Sequence, residues 1–171
     1  MSAPPRLVIL TGASGSGKTS IADAIGLTAG GSVRVLHFDS IGVPPPDEMV
    51  TGWGSGENWQ RVTTIEWLRR IVALPPGGAL LFEGQMRPAF LKAALDAHHI
   101  ATSRVVVIDC DDRTRADRLR GRGQPELAGG DMMRWAALMR QEVDAFGFDL
   151  IDTSDLTLDQ GVARVRRHLS G

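Results

Sequence analysis

Gly12-Ala13-Ser14-Gly15-Ser16-Gly17-Lys18-Thr19 is the stretch that decides the fold. It follows the pattern G-x-x-x-x-G-K-[ST]. Its glycines let the backbone curl so that successive N–H groups converge on a polyphosphate. Lys18 then reaches the β- and γ-phosphates, and the Thr19 hydroxyl takes one position on Mg²⁺. The flanks agree with this reading. Arg6-Leu7-Val8-Ile9-Leu10 is an apolar run suited to a buried parallel strand, and Ser20 to Leu27 carries apolar residues at helical spacing. The helix N-terminus therefore faces the loop and adds its dipole to the anion site. Gly12 to Thr19, with Ser20 behind them, are the expected nucleotide contacts.

Outward from that loop, strand and helix alternate. Strands are expected at Leu7–Leu10, Val33–Phe38, Ala79–Phe82, Arg104–Asp109 and Phe148–Asp152. Helices are expected at Lys18–Ala29, Glu57–Leu74, Pro88–Ala97, Asp112–Arg120, Asp131–Phe146 and Leu158–Leu169. Pro88 suits a first helical turn, Asp131 an N-cap, Gly147 a C′ position and Thr157 the cap of the last helix. Apolar strands alternating with helices predict a parallel sheet covered on both faces. The expected fold class is α/β: a three-layer α/β/α sandwich around a five-stranded parallel sheet, with residues 1–171 forming a single domain.

Residues 41–58 fit no regular element in this reading. They carry Pro44-Pro45-Pro46, Gly52, Gly54 and Gly56 and the acids Asp47, Glu48 and Glu57, with Trp53 inside and Trp59 just beyond. A loop of that length in a compact domain is functional or mobile. The tryptophans form either a wall over an acceptor site or ordinary edge packing.

Two carboxylates stand where strands end. In parallel α/β sheets ligands sit off the carboxyl ends of the strands, which puts Asp39 beside Lys18 although the two are far apart in sequence. There Asp39 accepts the proton of an attacking hydroxyl or holds Mg²⁺ through water. Leu80-Leu81-Phe82-Glu83-Gly84 repeats the layout: Glu83 is expected near Mg²⁺ or the acceptor, and Gly84 allows close backbone approach. Arg87 follows, either as a substrate contact or as an ordinary loop residue. Asp109, beside Asp111 and Asp112, reads as helix capping.

Arg113, Arg115, Arg118, Arg120 and Arg122 cluster in a chain whose net charge is −1. Arg118 and Arg122 share one helix face, and a Gly/Pro-rich loop across 120–130 follows. This reads as an arginine-bearing lid that excludes water and neutralises charge on a transferring phosphoryl group. Arg113 and Arg120 read as plain surface.

Together these residues resemble the small P-loop kinases: the nucleoside monophosphate kinases and relatives acting on gluconate, shikimate, adenylyl sulfate and chloramphenicol. The resemblance spans essentially the whole chain and implies a P-loop NTPase fold. Asp117-Arg118-Leu119-Arg120-Gly121-Arg122 is similar to the stretch entering the lid of adenylate kinases, which implies that Arg118 stacks on adenine and Arg122 contacts phosphates. Asp152-Thr153-Ser154 resembles the adenine-contacting loop, which brings in Thr153. Phe38-Asp39-Ser40 resembles the segment supplying the acceptor's base in the chloramphenicol phosphotransferase and gluconate kinase branches. Glu83-Gly84-Gln85 stands where many nucleoside monophosphate kinases carry Asp-Arg-Tyr/Phe.

The expected activity is ATP-dependent phosphoryl transfer to a hydroxyl of a small molecule, with ATP and Mg²⁺ as cofactors. Lys18, Asp39 and Arg122 are the catalytic group, and Trp53, Trp59, Glu83, Gly84 and Arg87 the acceptor side. Thr19, Asp39 and Glu83 are the candidate metal contacts. The alternatives are a nucleoside monophosphate kinase and a weakly hydrolytic nucleotide-binding module. Asp39-Ser40-Ile41-Gly42 reads as the GTPase switch D-x-x-G but lies too near the phosphate loop. No Asn-Lys-x-Asp motif occurs, so ATP is favoured over GTP. The balanced charge argues against a nucleic-acid partner. Met1–Pro5 lacks a secretory layout, and no apolar stretch approaches a membrane span. Cys110 is the one cysteine and reads as packing. A cytoplasmic monomer or homodimer without membrane contact is expected.

Overall fold

The computed structural model describes residues 6–170; the Met1–Pro5 segment, read against a secretory layout, lies outside the described residues. Strands β1 (Arg6–Thr11), β2 (Val33–His37), β3 (Ala79–Glu83), β4 (Arg104–Asp109) and β5 (Asp149–Asp152) form one sheet. Its order is β2-β3-β1-β4-β5, and every pairing is parallel. The helices among the described residues are α1 (Lys18–Thr28), α2 (Pro46–Trp53), α3 (Gly56–Val72), α4 (Pro88–Ala97), α5 (Asp112–Gly121), α6 (Gly130–Phe146) and α7 (Leu158–Ser170).

Alternation along β1 assigns the layers. Leu7 and Ile9 face Trp67, Leu68 and Ile71 of α3 and Leu91, Ala94 and Leu95 of α4. Val8 and Leu10 face Ile21, Ala22 and Ile25 of α1 and Val165 and Leu169 of α7. The sheet is therefore covered on both faces, the three-layer α/β/α arrangement that the alternating pattern predicts. No described helix is long and apolar enough to cross a membrane.

Local chemistry accounts for most helix ends. Pro88 sits in the first turn of α4, and Gly147 closes α6 in the left-handed conformation at φ 65°. Thr157 and Gln160 form a reciprocal capping box at α7, with Gln160 N donating to Thr157 Oγ1 and Thr157 N to Gln160 Oε1.

Three expectations are corrected. The segment 41–58 is not irregular: Pro46 opens α2, and Ser55 caps α3 by accepting from Asn58 N at 3.0 Å. Helix α2 buries none of its residues, so it leaves no apolar periodicity in the sequence. Asp131 is not a cap, because α6 starts one residue earlier at Gly130, and its carboxylate pairs with Arg134 instead. Asp109 does not cap α5; Asp111 does, accepting from Thr114 N at 2.7 Å.

Register brings the candidate chemistry to one edge. Glu83 lies opposite Leu10 of β1 and His37 of β2, and Asp109 lies opposite Asp152. Asp39 stands just past β2 in a 3-10 turn, Phe38–Ile41, rather than on the strand end itself. A Cβ on Gly84 would meet Phe38 Cβ at 2.4 Å, so the glycine is what lets this turn pack against the end of β3. Thr11 locks the same edge: its hydroxyl donates to Met86 O at 2.5 Å and accepts from Met86 N at 2.9 Å, fully buried. Thr11→Val is expected to strand both Met86 groups and lower stability by about 2–4 kcal/mol. Urea unfolding checks this, with Thr11→Ser retaining most of the stability.

Candidate functional site

The phosphate loop joins β1 to α1, and its conformation is over-determined. A Cβ at Gly12, where φ is +150°, would lie 2.2 Å from the Ile108 carbonyl oxygen, so no side chain fits there. Ala13 packs under the loop against Ala136 and Met139. The outward carbonyls are held from behind. Arg115 Nη1 donates to Ser14 O at 2.8 Å. Arg118 Nη1 donates to Ser16 O at 3.1 Å and to Gly15 O at 3.3 Å. Thr153 Oγ1 sits 2.7 Å from Ser16 O and accepts from Arg118 at 2.9 Å.

Two cavities flank the loop. The first, about 310 Å³, is lined by Gly15, Ser16, Gly17 and Ser20, by apolar Ile21, Leu156 and Leu158, and by Arg118 and Thr153. Apolar walls beside a guanidinium suit a purine. The second, about 390 Å³, is lined by Ser14, Lys18, Thr19, His37, Asp39, Glu83, Gly84, Gln85, Gln124 and Leu127. Arg122 lines both. It is exposed at the end of α5, and among the described residues no carboxylate pairs with it.

Lys18 is 8% exposed, and among the described residues no side-chain hydrogen bond or ion pair engages its ammonium. Burial pushes its pKa below the ordinary 10.5, with Glu83 and Asp39 pulling the other way and Arg122 adding to the fall. The Ser16 hydroxyl is likewise buried without a partner. An unpaired cation and an orphan hydroxyl in one loop fit a bound polyphosphate. Thr19 Oγ1 donates to Glu83 Oε1 at 2.8 Å, and the other Glu83 oxygen lies 2.8 Å from His37 Nδ1. Thr19, Glu83 and Asp39 thus offer oxygen donors around one wall. Among the described residues no group of three His, Cys, Asp or Glu side chains forms a ready-made metal cage. Hydroxyl and carboxylate oxygens suit Mg²⁺, which keeps waters and shares phosphate oxygens.

Of the residues expected on the acceptor side, Asp39, Glu83 and Gly84 line the second cavity, and three others do not. Trp59 is 7% exposed, edge-on to Phe38 at 5.8 Å in the core. Trp53 ends α2 at the surface. Arg87 is held between Glu142 at 2.6 Å and Glu57 at 2.9 Å. Arg118, expected to stack on adenine, borders the first cavity while its nitrogens bind the loop carbonyls and Thr153.

Sequence reasoning missed the buried set behind the loop. Arg115 is fully buried; it pairs with Asp109 Oδ1 at 2.5 Å, and Arg140 Nε donates to the other Asp109 oxygen at 2.6 Å. One signal was available: Arg115 shares the inward stripe of α5 with Leu119, four residues on. His37 and Gln85 were also missed; Gln85 Oε1 accepts from Ser14 Oγ at 2.9 Å. Cys110 packs as expected, and burial raises its thiol pKa.

Sheet order, phosphate loop and arginine-bearing helix together define the fold of the small P-loop kinases. A family model described as an AAA domain matches residues 8–131, most of the chain, and the chain belongs to that family. No curated protein sequence matches it. Solved structures that share the fold include the following three. A gluconokinase from Sinorhizobium meliloti 1021 is 15% identical with a TM-score of 0.63, covering 97% of this chain and 92% of the other. A shikimate kinase from Acinetobacter baumannii, in complex with shikimate, is 16% identical with a TM-score of 0.65, covering 97% and 93%. A tunicamycin resistance protein from Deinococcus radiodurans is 16% identical with a TM-score of 0.64, covering 98% and 96%.

Burial of the Lys18 ammonium makes stability depend on pH. Its folded pKa lies below the unfolded value, so the native state binds fewer protons between the two and this group's contribution to stability rises with pH across that window. Below the folded value the buried cation destabilises the empty protein in full. Lys18→Met is therefore expected to raise the melting temperature of the unliganded protein at neutral pH. Mg·ATP at about 100 times its Kd should add about 2.7 kcal/mol to the wild type and nothing to the variant. Thermal shift with and without nucleotide checks both.

Proposed function

We propose that this chain moves the γ-phosphoryl group of ATP to a hydroxyl of a small molecule. The observation that carries this reading is the shared border. The phosphate loop and Arg122 separate a purine-suited cavity from one containing an exposed carboxylate, Asp39. The loop amides and Lys18 hold the β- and γ-phosphates. Asp39 takes the proton as the acceptor oxygen bonds to the γ-phosphorus, and the bond to the bridging oxygen breaks to release ADP. Arg122, unpaired with any carboxylate among the described residues, stabilises charge spread over the transferring group. Thr19 and Glu83 would hold Mg²⁺, which supplies neutralisation of phosphate charge. Likeness of fold to a gluconokinase and a shikimate kinase supports the reading.

Asp39→Asn is expected to lower kcat by about 10²–10⁴-fold while leaving Mg·ATP affinity unchanged. Coupled ADP-release kinetics and calorimetry check the pair. Retained kcat contradicts the base assignment, and loss of Mg-dependent nucleotide affinity moves Asp39 to the metal.

A further inference from the structure

We infer that the acceptor is an alcohol without an anionic group, either a neutral polyol or an amine-bearing alcohol. The inference rests on the phosphotransfer reading and narrows it by charge. The second cavity holds two cations among its described residues, Lys18 and Arg122, and both belong to the phosphate side. Its remaining charged walls are Asp39 and Glu83, with His37 already bonded to Glu83. Gln85 and Gln124 complete the polar lining as neutral amides. Such a wall offers hydrogen bonds to hydroxyl or ammonium groups and no counter-ion to a carboxylate or phosphate.

Two further facts point the same way. From Phe38 to Gln60 the chain contains Asp39, Asp47, Glu48 and Glu57 and no lysine or arginine. This is the segment between β2 and the body of α3, which borders the cavity through Asp39. The arginine best placed in sequence to meet an anion, Arg87, is ion-paired to Glu57 and Glu142 and lies outside the cavity lining. Its charge is already neutralised. Arg61 is exposed, bonded to Asn58 Oδ1 at 2.8 Å, and is likewise not part of the lining.

Bound Mg·ATP strengthens the selection. Polyphosphate takes up the charge of Lys18 and Arg122 and leaves Asp39 facing the acceptor. An anionic acceptor would then be brought against the like charge of the transferring phosphate and Asp39, with Lys18, Arg122 and Mg²⁺ already engaged by polyphosphate, and such like-charge juxtaposition is penalised. A neutral or cationic alcohol meets no such penalty.

The test is acceptor-dependent ADP release, with phosphorylated product read by mass spectrometry. The panel is a broad set of hydroxylated metabolites and antibiotics containing charge-matched groups: glucose and glucosamine against gluconate and glucose 6-phosphate, and nucleosides against their monophosphates. Turnover is expected in neutral or amine-bearing members, with kcat/KM at least about tenfold above the anionic counterpart, equivalent to about 1.4 kcal/mol. Gln85→Arg should narrow that ratio by supplying the missing cation. Turnover confined to carboxylated or phosphorylated acceptors, or a ratio indifferent to Gln85→Arg, overturns the inference and leaves phosphotransfer standing. No phosphorylated product from any member, with Mg·ATP binding intact, counts instead against phosphotransfer.

Discussion

The carbonyls of Ser14 and Ser16 are fixed outward by two arginines and a threonine, and the phosphate site follows from that constraint. In a trans peptide the C=O and the next N–H point in opposite directions. Holding Ser14 O on Arg115, and Ser16 O on Arg118 and Thr153, therefore turns the N–H groups of Gly15 and Gly17 to the other side of the loop. These contacts, all within the protein, preorganise the loop. A buried guanidinium is costly when unpaired. Here Asp109 compensates Arg115, and Arg140 of α6 occupies the second oxygen of Asp109. The loop is thereby tied to β4, to α5 and to α6.

The same edge of the sheet supplies the opposing charge. Parallel strands bring His37 and Glu83 to one level, and Gly84 lets the turn bearing Asp39 settle against the end of β3. Carboxylates consequently face Lys18 across the cavity while arginines stand behind and above the loop. This polarity, cationic at the phosphate loop and anionic opposite it, fits the proposed transfer from polyphosphate to an alcohol.

Much of this was legible in the sequence for definite reasons. The loop motif is local, and the apolar strands and their flanking helices alternate cleanly, so sheet, layers and the shared edge followed. Helix α2 was hidden because it buries nothing, and Pro46, which looked like loop chemistry, is its first residue. Trp59 gave no sign whether it faced core or cavity, since that depends on how α3 rotates against Phe38. Arg87 could not be seen as neutralised, because its partners lie 30 and 55 residues away. Arg115 was concealed among four neighbouring arginines, its spacing from Leu119 the one signal in the sequence, and the docking of α5 against Gly15 shows that it turns inward.

The most direct measurement is backbone amide hydrogen exchange across residues 13–19 with and without a non-hydrolysable ATP analogue and Mg²⁺. The account predicts marked slowing confined to these amides and the adjoining turn of α1, lost in Lys18→Met. Exchange unchanged by saturating nucleotide would contradict it.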